Sequence, residues 1–297
     1  MGHPHLHWFA DPLVLVPLLF FAGVYVWRFR RARAEVLARG GSPSKRGVGP
    51  LQALAFAGGM LALLGALVSP LDGLGDDYLF SAHMLQHVLL GDLAPLLILL
   101  SLSRVILRPA TRRFTAIERR LGPVASPAGC IVIWLTIMYV WHIPALYDAA
   151  TQHALIHLVE HTSFFAAGLA LWWPLIEPIP MRRPLTGLQP VAYIFTAKAG
   201  LAVLGVYLTW STSSIYPYYQ HTPRIWGLTP IEDQNVAGVI MMVEQSMTLA
   251  IVLAALFIRM LGRSETEQLR RERLEEREGE AAGYGGRLAL EDRAVRD

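Results

Sequence analysis

Apolar residues fall into seven long runs, roughly 12–29, 51–70, 79–102, 128–143, 153–175, 190–210 and 235–258, with short Gly-, Pro- and charge-rich stretches between them. A run of about 20 such residues, rising ~1.5 Å each, crosses the hydrocarbon core of a bilayer. The fourth run is the shortest and gains a few residues if it is taken from near Val124. The pattern predicts an all-α fold: a polytopic integral membrane bundle of seven transmembrane helices. Gly40 to Pro50, Pro123 to Pro127 and Pro178 to Pro190 are the clearest connections. After Arg259 the pattern changes, and RSETEQLRRERLEERE sets Glu and Arg at helical spacing with few apolar residues. The expected organisation is therefore a His-containing N-terminus (1–11), a transmembrane domain (12–260) and a charged, partly disordered tail (261–297).

Charge then sets the direction of the chain. Of its 26 lysines and arginines, 24 fall in alternate connections or follow the last run; only Arg224 lies on the other side and Lys198 within a run. Basic connections stay in the cytoplasm. The N-terminus is expected outside and the C-terminus inside, which requires an odd number of spans. No Lys or Arg precedes the first run, so it is expected to remain as a span and not to be a cleaved signal. Composition agrees, since 54% hydrophobic and 16% charged residues are outside the range of soluble domains. The expected location is the cell membrane, with the lipid bilayer as a partner. A single cysteine, Cys130, rules out an internal disulfide or a Cys-rich metal cluster. No glycine-rich nucleotide fingerprint is present, and nothing points to nucleic acid.

Polar groups inside hydrocarbon are costly and ask for a partner or a task. His83 and His87 are four apart on the third run, with Met84 beside them. The fifth run carries His153, His157 and His161 at the same spacing, with Glu160 next to the last. His142 closes the fourth run, and the seventh brings Met241, Met242, Glu244, Gln245 and Met247. Counted from the outer side, His87, His161 and Glu244 fall in one layer about 12 Å deep. His83, His157 and His142 are expected above it, with His153 at the rim. Imidazole with thioether and carboxylate neighbours suits copper, zinc or iron, not magnesium or calcium. The rival readings are neutral histidines hydrogen-bonded between helices, and a pair of histidines holding haem. At the N-terminus His3, His5 and His7 alternate, a short tract open to metal capture. Asp92 and Lys198 reach similar depth in the inner half and are expected to form an ion pair.

Three stretches carry a resemblance to a known family: AHMLQHVLLGDLAPLLIL (82–99), WHIPALYDAATQHALIHLVEHTSFFAAGLALWWPL (141–175) and DQNVAGVIMMVEQSM (233–247). The combination resembles the CtaG family of cytochrome c oxidase assembly factors, associated with caa3-type oxidases. The resemblance implies no enzyme activity, but a membrane factor whose partners are cytochrome c oxidase subunits and which handles copper at the outer face. Its motifs point to His83, Met84, His87, His142, His157, Glu160, His161, Met241 and Glu244 as the metal-binding set. The MMVEQ stretch (241–245) departs from the Met-Trp pair expected there. A haem-binding redox protein using His87 and His161, and an ion-coupled carrier using Asp92 and Lys198, are the competing functions. Against the carrier, the sequence has no evident inverted repeat.

Overall fold

The computed structural model describes Trp8 and residues 11–294, with side-chain surroundings given to Arg273 apart from residues 263, 264 and 266. His3, His5 and His7 lie outside the described residues. Among the described residues all regular structure is helical. The chain divides into two units, Met1–Leu249 and Ala250–Asp297.

The first unit opens with α1 (Pro12–Ala38) and α2 (Pro50–Leu67), followed by the short α3 (Pro70–Asp77). Next, α4 (Phe80–Val88) and α5 (Ala94–Ser101) are joined by a π-helical turn over Leu89–Leu93, so the third run is one span with a widened turn in its middle. α6 (Arg104–Leu107) and α7 (Thr111–Leu121) form the basic connection to α8 (Pro127–Trp141), and α9 (Pro144–Gln152) leads into α10 (Ala154–Ile176). α11 (Gln189–Trp210), α12 (Pro217–Gln220) and α13 (Pro230–Ala294) complete the chain. Proline opens α1, α2, α3, α8, α9, α12 and α13, where its fixed φ suits a first turn and its missing N–H costs nothing. Side chains cap several of these starts: Asp11 accepts from the N–H of Leu13, Ser69 from Leu71 and Ser126 from Gly129.

Six helices are long and apolar enough to cross a membrane, and seven if the bent segment before and through α8 counts as one span. The ambiguity sits where the fourth run was shortest. Alone, the 15 residues of α8 rise only about 22 Å, and the chain bends by 72° just before them. The protein is a multi-pass membrane protein. Leu13, Leu54, Val132, Leu155 and Val203 are each more than 60% exposed, an apolar exterior that water does not tolerate but lipid does.

In the first unit α2 packs along α5, α10 lies against α8, α5 and the π-helical turn, and α11 against α8. Two ends of this bundle are tied by separate bonds. At one, the backbone N–H of Arg182 donates to Glu118 (2.7 Å), joining the two basic connections around α7 and after α10. At the other, Tyr219 donates to the carbonyl of Gly75 (2.7 Å) and Tyr216 to that of His142 (3.1 Å). The expected histidine stripes begin at this second end. In the second unit the helix begun at Pro230 continues, through the Glu- and Arg-rich segment, as far as Ala294.

Candidate metal centre

Three local features bring the histidine stripes together. The first is the start of α4. Its N-terminal amides would be unsatisfied in a dry interior, and Asp233 from the first turn of α13 accepts from the N–H groups of Phe80 (2.7 Å) and Ser81 (3.1 Å) and from the Ser81 hydroxyl. This cap from a distant helix fixes the turn that carries His83. The second is Gly75 at the end of α3, where a Cβ would stand 3.0 Å from the backbone of His83. The third is Gly168 on α10: a Cβ there would collide with the carbonyl oxygen of Gly91 in the π-helical turn and stand 2.6 Å from Pro95. A larger residue at either glycine would force the helices apart.

The result is one buried group of four donors. Ligand atoms of His83, His87, Glu160 and His161 all lie within 4.8 Å of one another, and all four residues are buried. Glu160 divides its oxygens, with Oε1 at 3.7 Å from His87 Nε2 and Oε2 at 4.0 Å from His83 Nε2. The His83 and His87 rings meet edge to face at 4.3 Å, and those of His157 and His161 lie 4.0 Å apart. Both ring nitrogens of His83 and of His87, both oxygens of Glu160, and Nε2 of His161 are buried with no hydrogen-bond partner among the described residues. Groups of this kind are normally hydrogen-bonded, and each left unmade costs about 1–3 kcal/mol.

His157 belongs to a second group, with His83 and the half-buried Asp76. Above both groups sits an aromatic cover. Tyr147 packs 5.1 Å from the His83 ring and shares a 3.1 Å hydrogen bond with the hydroxyl of Tyr219. Burial holds both phenols well above their usual pKa, so at neutral pH they are protonated donors and not phenolate ligands.

The other expected residues lie to one side. Met84, His142, Met241 and Glu244 line, with His87 and Asp92, a small cavity of about 30 Å³. His142 places Nδ1 at 2.6 Å from the Met138 carbonyl, so that nitrogen carries the proton and Nε2 is left without a partner. His153 is exposed at the start of α10 and outside both groups. Glu244 was expected as the acidic member of the histidine layer. It is instead committed to Lys198, 3.3 Å away, and accepts from Thr248 (2.8 Å). Glu160, on the helix of the histidines themselves, takes the place expected of Glu244. The expected ion pair of Asp92 with Lys198 is present, and the indole N–H of Trp172 donates to the same carboxylate (2.8 Å).

The family model of the cytochrome c oxidase caa3 assembly factors (Caa3_CtaG) matches residues 4–263. The chain belongs to that family. No curated protein matched the chain, and no solved structure did. The match spans all the donors above and both tied ends of the bundle, covering nearly all of the first unit and running past its end at Leu249. Membership of an assembly-factor family suggests a non-catalytic role in association with the oxidase.

Two residues near the site, Asp76 and Asp233, lie outside the apolar runs. Asp76 lies in the GDDY stretch (75–78) between the second and third runs, seven positions before His83. Asp233 lies just before the seventh. The signal available for Asp76 was its place at the outer end, beside the start of a histidine-bearing helix. For Asp233, a cap on another helix leaves no mark in sequence.

Proposed function

We propose that this chain acts as an assembly factor that holds a copper ion at the outer side of the cell membrane and hands it to cytochrome c oxidase subunits. One observation carries the reading: His83, His87, Glu160 and His161 converge within 4.8 Å while their buried donor atoms lack hydrogen-bond partners. A cation among them supplies what the missing hydrogen bonds do not. Ligand distances of ~2.0–2.1 Å in a tetrahedral site separate the donors by about 3.3 Å, close to the 3.7 and 4.0 Å found around Glu160. Imidazole and carboxylate suit copper, zinc and iron, and Met84 and Met241 across the neighbouring cavity add soft sulfur near His87. The family's oxidase connection selects copper among the three. Copper here is cargo, so the site must release it, and a mixed donor set suits release better than a closed thiolate cage.

Orientation supports the same reading. With basic connections in the cytoplasm, the end that carries His83, His157 and the Tyr216–Tyr219 cover faces outward. Haem fits less well, because the 30 Å³ cavity beside His87 is far smaller than a porphyrin. Interhelical glue requires hydrogen bonds from the inner histidines to their neighbours, and among the described residues neither ring nitrogen of His83 or of His87 has a partner.

The test is copper content of the full chain purified in detergent, loaded with copper(I) and desalted. Wild type should retain stoichiometric copper, and the H83A/H87A/E160Q/H161A variant should retain none while keeping its helical circular dichroism. A wild type that retains no copper sinks the proposal. In cells, deletion should lower oxidase activity and added copper should restore it.

A further inference from the structure

We infer that Asp76 and His157, with the Nδ1 nitrogen of His83, form a separate outer metal position, an entry station from which a late first-row transition-metal ion passes to the inner donors. The inference deepens the proposed function and rests on it. Asp76 is the bridge on the outer side: its Oδ1 lies 3.6 Å from His83 Nδ1 and its Oδ2 3.7 Å from His157 Nδ1. Glu160 repeats this arrangement one level deeper, between His83 Nε2 and His87 Nε2. His157, Asp76, His83, Glu160 and His87 therefore form an alternating chain of imidazole and carboxylate. His83 is its centre, with one nitrogen facing each group.

Exposure falls in steps along this chain. The side chain of Asp76 is 33% exposed and that of His157 16%, whereas His83 and Glu160 are at 0%. An ion arriving from outside meets Asp76 and His157 first, and only then the buried donors. Neither ring nitrogen of His83, nor Asp76 Oδ1, nor His157 Nε2 has a hydrogen-bond partner among the described residues. A fully buried imidazole with both edges unsatisfied is the mark of a ligand able to serve two positions. The outer donor spacing of 3.6–3.7 Å is, like the inner one, slightly wider than the ~3.3 Å of tetrahedral coordination, so a small contraction seats an ion in either.

Passage is a ligand exchange with no change of oxidation state. The bonds to Asp76, His157 and His83 Nδ1 break as those to His83 Nε2, His87, Glu160 and His161 form. His83 stays neutral throughout. Nε2 gives its proton to water entering with the ion as it takes the ion, and Nδ1 takes one from water at the mouth as it lets the ion go, so the two transfers cancel and both carboxylates stay ionised.

Cobalt(II), whose visible absorption reports coordination, is the probe, added to the full chain in detergent in a stopped-flow instrument. Wild type should bind a tight equivalent after a faster, weaker phase. D76N and H157A should each keep the tight equivalent, with its appearance slowed by about tenfold or more, the scale on which metal sites respond to loss of a supporting group. E160Q/H161A should keep only the fast, weak phase, and adding D76N to it should abolish that phase. Two separate variants of the outer position guard against a folding defect in one of them. If D76N and H157A load at the wild-type rate, or E160Q/H161A binds no cobalt while wild type does, the entry station is wrong and the inner site stands. If wild type itself binds neither cobalt nor copper(I), both readings fall.

Discussion

Lys198 sits between Asp92 and Glu244 in the interior, and replacing it by methionine keeps most of its volume while removing its charge. Its side chain is 1% exposed, that of Asp92 5% and that of Glu244 13%, so water does little to screen any of them. At the 3.3 Å separating Lys198 and Glu244, an effective dielectric constant of ~20 gives an attraction of about 5 kcal/mol. Desolvation of the partners cancels part of this, and removing one member of such a buried pair typically costs about 3–5 kcal/mol. Lys198→Met leaves two carboxylates facing each other without their cation, and also removes the contact of the ammonium with the Trp172 ring, 5.3 Å away. At about 2–4 °C per kcal/mol for a chain of this size, a loss of ~3 kcal/mol lowers Tm by about 6–12 °C. The assay is thermal unfolding of purified protein in one detergent, comparing K198M, D92N and the neutral triple variant D92N/K198M/E244Q. K198M should fall by that amount and D92N by less, since Lys198 then keeps Glu244 as its partner, and the triple should recover most of the K198M loss, because no charge is then left buried alone. A K198M variant within a degree or two of wild type refutes the reasoning. So does a triple variant no more stable than K198M, since the loss would then come from shape and not charge.

Other outcomes follow from the same geometry. Gly168→Ala pushes α10 off the π-helical turn at Gly91 and should cost about 1–3 kcal/mol of unfolding free energy, with weaker copper retention because His161 and Glu160 move with α10. Asp233→Ala removes the cap on α4 and should cost about 1–2 kcal/mol; copper titration should show a looser site even though Asp233 touches no ion. Glu160→Gln keeps the shape but removes the one carboxylate of the inner group, and competition with a copper(I) chelator should show affinity lower by about tenfold or more. The purified protein should have no Soret band, and a haem spectrum at stoichiometric intensity would reverse the preference for a metal ion over haem.

The sequence alone determined the spans and which polar side chains share a helix face. Hydrocarbon leaves a backbone no partners except its own, so an apolar run of span length must be helical, and the observed helices begin close to the predicted starts, Pro12, Pro50, Phe80, Ala154, Gln189 and Pro230 among them. The i, i+4 spacing of His83 with His87, and of His157 with His161, likewise fixed which side chains share a helix face. The fourth span was the weakest in both views, because α8 is short and its approach bends. Tertiary structure decided which faces meet. Depth along an axis placed Glu244 level with His87, but depth says nothing of rotation, and α13 turns Glu244 toward Lys198 while α10 turns Glu160 into the histidines. That choice rests on close contacts at Gly75 and Gly168 and on the cap from Asp233, which join residues about 80 to 150 positions apart or hinge on the absence of a side chain. Periodicity reads one helix at a time, and a cluster of side chains drawn from several of them is settled only when they pack.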